Sequence, residues 1–119
     1  MMPESRMPDL VEWLSKQVPD LPVFAVVPPE RPKRFATIER TGGSTGMFID
    51  NALFAVQVWA RSILEADKLA SQLRYACWDL AVLPWVASVN LGNLANFTDT
   101  ASKHYRYQFT LELGIMVNI

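Results

Sequence analysis

The chain has 119 residues, half of them hydrophobic and 19% charged, a composition that predicts one globular domain and excludes a disordered tail. Eleven basic and twelve acidic residues give a formal charge of -1, so no cationic excess exists to neutralise a phosphate backbone, which argues against nucleic-acid binding as the main task. The single cysteine, Cys77, cannot close an internal disulfide, no apolar run approaches the ~20 residues of a membrane span, and "MMPESRMPDL" lacks the apolar centre of a signal peptide; a soluble chain made in a reducing cytoplasm is expected, with no membrane partner.

Residues 1–7 read as a flexible lead-in. Leu10, Val11, Trp13, Leu14 and Val18 recur at near-helical spacing, which predicts a short helix from Pro8 to Val18, ended by Pro19. Val23 to Val27 is a β-rich run and predicts a first strand. The prolines of "PPERP" each remove a ladder donor, so this stretch reads as a stiff connector. Phe35 to Thr41 predicts a second strand and Leu53 to Ala60 a third. Between them "TGGSTGMFIDN" carries three glycines and reads as a flexible turn region from Gly42 to Asn51.

Ser62-Ile-Leu-Glu65 has the spacing of a capping box, in which the serine hydroxyl and the glutamate carboxylate satisfy each other's backbone amides. Ala66, Leu69, Ala70, Leu73, Ala76, Cys77 and Leu80 then recur at steps of three and four, which predicts a helix of about five turns ended by Pro84. Trp78 falls near its apolar edge. Trp85 to Leu94 predicts a fourth strand and "NFTDTASK" a polar loop. In "HYRYQFTLELGIMV", Tyr105, Tyr107, Phe109, Leu111, Leu113 and Ile115 alternate with polar residues, the period of a strand with one buried face. Strands in runs, split by one long helix, predict an α+β fold. The expected form is a mainly antiparallel four- to five-stranded sheet with both helices on one face, in a single domain over 1–119.

Several chemistries lack their parts. His104 is the only histidine, no Gly-x-Ser-x-Gly turn presents a serine, and Cys77 lies on the apolar helix face as a core thiol; catalytic residues are expected to be none. One histidine and one cysteine far apart give no metal site, and no cofactor is expected. "TGGSTG" is followed by Met47 and Phe48, not by the lysine and helix of a phosphate loop. The lone acids of "DNALF" and "FTDT" read as turn residues. The third strand is apolar on both faces, with Trp59 and Ala55 opposite Phe54, Val56 and Val58, so its second face needs a cover. Another subunit is the favoured cover, a loop of the chain itself the alternative.

"PERPKRFATIERTGG", the strand end Gln57-Val58-Trp59-Ala60, "EADKLASQLR" and "YRYQFTLEL" together resemble the small tail terminator (tail-completion) proteins of long-tailed phages, over about residues 20–115. The resemblance implies an α+β subunit that closes into a homo-oligomeric ring, typically a hexamer, capping the tail tube in the virion at the tail/neck junction. Its implied partners are copies of itself, the tail tube protein and the head-side connector (stopper) protein, with DNA only passing through the lumen. Another head–tail joining protein of the neck, or a non-catalytic binding module of a bacterial complex, is the alternative. On this reading Arg34, Arg40, Arg61 and Arg106 are candidates for intersubunit salt bridges, and Trp59 for a subunit contact. The loop with Gly42, Gly43, Met47 and Phe48 is expected to order on contact with the tube or a neighbour.

Overall fold

A computed structural model describes residues 5–99 and 104–117, which form two α-helices and one six-stranded, mostly antiparallel sheet, an α+β fold. In chain order these are α1 (Met7–Ser15), β1 (Val23–Phe24), β2 (Phe35–Thr45), β3 (Ile49–Ala60), α2 (Ile63–Ala76), a 3-10 helix (Cys77–Val82), β4 (Val86–Leu91), β5 (Ala95–Asn96) and β6 (Tyr105–Met116). The strands lie in the order β1-β2-β3-β6-β4, with β5 also on β6. Only β1 against β2 is parallel.

The period-two pattern read from β6 sets the architecture. Val56 faces Phe109, Phe54 faces Leu111 and Ala52 faces Leu113, so the even positions of β3 and the odd positions of β6 build one apolar face. Leu10 and Leu14 of α1, Ala66, Leu69, Ala70 and Leu73 of α2, and Cys77 and Leu80 of the 3-10 helix join that face in one buried core. The capping box forms: the Glu65 amide donates to Ser62 Oγ at 3.1 Å, and the Arg61 amide donates to Glu65 Oε1 at 3.3 Å. Glu65 thus caps one residue ahead of the serine.

Three expectations change. The lead-in is shorter, because α1 starts at Met7; residues 1–4 lie outside the described set. β1 is only two residues long, and Val26 beyond it is exposed. The long helix changes winding at Cys77, where a 3-10 turn replaces α geometry. The tighter turn advances each residue by about 120° and not 100°, which keeps Leu80 buried one turn after Cys77, while Trp78, a single step from Cys77, is 47% exposed.

Candidate assembly surface

The stretch expected to be an open loop is the end of a hairpin. β2 runs to Thr45 and β3 starts at Ile49, with Gly42 paired to Leu53, Gly43 to Ala52, Ser44 to Asn51 and Thr45 to Asp50. The glycines permit pairing here. Gly43 has φ +113, and a β-carbon on it would overlap the Asn51 carbonyl oxygen. The register shifts between Arg40 and Gly42, so Thr41 is an extra residue on β2, a bulge that increases local twist. From Glu39 to Phe48 every residue is exposed. This hairpin end, the arm, is an exposed sheet margin: its β2 side is free, while its β3 side stays paired with β6 down to Ile49 opposite Met116.

A bidentate ion pair stiffens that arm. Arg40 Nη1 donates to Asp50 Oδ2 at 2.7 Å and Nη2 to Oδ1 at 2.8 Å, while Thr45 Oγ1 donates to Oδ1 at 3.1 Å. These hydrogen bonds hold the Asp50 carboxyl below the usual carboxylate range and the Arg40 guanidinium above its ordinary value. The sequence hid this pair. Asp50 looked like a lone turn acid because the two residues meet only through hairpin register and the bulge.

The arm ends in Met47 and Phe48, 77% and 70% exposed. The turn beneath them is closed by the Gly46 amide donating to the Ile49 carbonyl, and the Val117 amide donates to the Phe48 carbonyl. The outer edge of β2 meets β1 only at Ala36 and Thr37, so among the described residues its amides and carbonyls from Ile38 onward face no further strand.

Trp59 is already buried within the single chain. It is 5% exposed within the single chain, stacked on Phe35 at 4.8 Å between ring centroids, with the Arg106 guanidinium 5.4 Å over its ring. Phe24 meets Phe35 edge-on. The second face of β3 thus finds its cover inside the chain at this end, from neighbouring strands, where a second subunit was expected. Further along the same sheet face the side chains become polar: Gln57 and Gln108 share a 2.6 Å hydrogen bond, and Thr37, Glu39, Thr110 and Glu112 lie around them.

The four candidate arginines divide. Arg40 is held by Asp50, and Arg106 by Trp59 and by Nε donating to the Phe97 carbonyl at 2.9 Å, so both are engaged within the chain. Arg34 lies 3.7 Å from Glu65, a long ion pair. Arg61 is exposed and makes no ion pair among the described residues. A solvent-open groove of about 500 Å³ lies beside Arg34, lined by Val18, Pro19, Leu64, Glu65, Lys68 and Leu69.

The proline-rich connector is tied down by Arg31, whose Nη1 donates to His104 Nδ1 at 3.0 Å. Cys77 is buried, and desolvation pushes its thiol up to about 12. Among the described residues there is no group of three or more metal-ligating side chains, and no helix is long and apolar enough to cross a membrane. The sequence matches no protein-family model and no curated protein.

Proposed function

We propose that this chain is a structural subunit of a phage tail: it assembles into a ring, caps the tail tube, ends tube growth and offers the docking surface for the head-side connector. The observation that carries the reading is the exposed β2–β3 hairpin end. Its apolar tip and unpaired edge are surfaces that one chain leaves uncovered, on a domain whose own core is complete. The residues of the terminator resemblance support the same reading, since Glu39 to Gly43 form the arm's shaft and Trp59 and Arg106 its anchorage. The polar second face of the sheet, with Glu39 and Glu112 among uncharged amides and hydroxyls, suits a wall past which DNA slides without being held.

A head-to-tail ring needs two unlike surfaces on each subunit, because rotation brings one against the other. The free edge of β2 and the opposite sheet edge at β4 are unlike in length and in neighbours. Particles assembled without this chain are the test. The reading expects tails of uncontrolled length that fail to join capsids; tails of normal length on filled capsids would reject it.

A further inference from the structure

We propose that the groove beside Arg34 is a docking site for a short acidic segment of another protein, one that carries carboxylates next to aliphatic side chains. Nothing in the site depends on a ring or on a tail. It stands on the groove's lining and on cations that the chain leaves unused.

The lining has two halves. Val18 and Leu69 are buried and reach the groove from the core, while Pro19 and Leu64 stand exposed beside it, Leu64 at 78%. Arg34, Glu65, Lys68 and Gln72 supply the polar half. Glu65, Leu69 and Gln72 recur at helical steps of four and three, so the groove follows one line along the first turns of α2.

The cations are held in place but not spent. Glu65 gives Oε1 to the Arg61 amide, and its Oε2 lies 3.7 Å from Arg34 Nη2, too long for a hydrogen bond. That contact orients the guanidinium and leaves its donors open: among the described residues the Arg34 side chain makes no hydrogen bond. Lys68 is exposed and has no ion pair among them, and the Gln72 side chain has no partner there. Two cations against one carboxylate leave the groove positive, on a chain whose overall charge is -1.

An anion is drawn to this pair, and arginine's planar fork suits a carboxylate. The apolar half selects which anion. An aliphatic side chain laid on Leu64 and Leu69 takes apolar area out of water on both partners, which a bare phosphate cannot do. Nucleic acid fits poorly: no aromatic side chain lines the groove for bases to stack on, and Glu65 within it repels a phosphate backbone. A segment that mixes aspartate or glutamate with leucine-like side chains meets both halves at once.

Fluorescence anisotropy of short labelled probes tests the site on the full chain. The probe is a peptide of alternating aspartate and leucine; the comparisons are a lysine–leucine peptide, an all-aspartate peptide and a single-stranded DNA of matching length. The aspartate–leucine peptide should bind roughly tenfold tighter than each of them. Arg34→Gln and Lys68→Gln should each weaken it roughly fivefold, the upper end for an exposed ion pair, and Leu64→Ser by a similar factor. Lys33→Gln removes a neighbouring charge outside the groove and should change the affinity less than about twofold. Circular dichroism and urea midpoints should stay unchanged, since Arg34, Leu64 and Lys68 lie outside the core. Absence of binding by the aspartate–leucine peptide at millimolar concentration overturns the proposal. So does equal binding of the all-aspartate peptide, tighter binding of DNA, or a loss in Lys33→Gln as large as in Arg34→Gln. Self-association that falls with Arg34→Gln, without peptide binding, would put a second copy in the groove and overturn it too.

Discussion

Trp59 shows how much one side chain can hold at this fold's open end. Its ring is sandwiched between Phe35 and the Arg106 guanidinium, and it joins β2, β3 and β6 on the face away from the helices. Trp59→Ala should therefore cost about 3–5 kcal/mol in urea unfolding, the range for a large aromatic removed from a packed site. A loss under about 1 kcal/mol would mean the stack is not a structural anchor. Asp50 acts differently. Its carboxyl is held below the usual range by Arg40, so the stabilisation is fully present above the ordinary carboxylate pKa and is lost as pH falls through the lower native value. The pair is partly solvated and worth about 1 kcal/mol, and it lies outside the core, so its loss is local. Asp50→Asn should speed amide hydrogen exchange in Ser44 to Gly46 about fivefold at neutral pH. That difference should vanish in acid, below the native pKa of Asp50. A difference that persists there would assign the effect to something other than the charge.

At the scale of elements, α2 was the most legible part of the chain, because its start is written in one local motif. Ser62 satisfies the Glu65 amide, which the helix cannot satisfy internally, and Glu65 takes up the Arg61 amide just ahead of the cap. Ser62→Ala should lower stability by about 1 kcal/mol, measured by thermal or urea unfolding, with Ser62→Asp retaining most of it. No change in the alanine variant would mean the helix start is fixed by packing alone. β6 was equally readable from its alternation. The arm was not. Gly42 and Gly43 look like loop residues, yet a paired strand accommodates them, because Gly43 supplies a positive φ beside the Asn51 carbonyl and a bulge at Thr41 resets the register. Nothing local in sequence separates a flexible glycine loop from a bulged hairpin end. The change of helical winding at Cys77 was not legible either, because residue spacing does not announce it.

For the whole molecule, the layered α+β plan was legible because it needs only one apolar face on the sheet and a matching stripe on α2. The candidate site was legible in part. The tip residues Met47 and Phe48 are exposed as an assembly surface requires, and Arg61 is available. Trp59, Arg40 and Arg106 are bound into the chain's own structure, because contacts across strands are invisible until register is known. What the molecule leaves uncovered is the exposed turn at Met47 and Phe48, the open edge of β2 and a groove beside Arg34. The most direct test adds the purified chain to tail tubes growing from their own subunits and images them by electron microscopy. The account predicts shorter tubes, each with a ring of this chain across one end. Tubes of unchanged length with bare ends would contradict it.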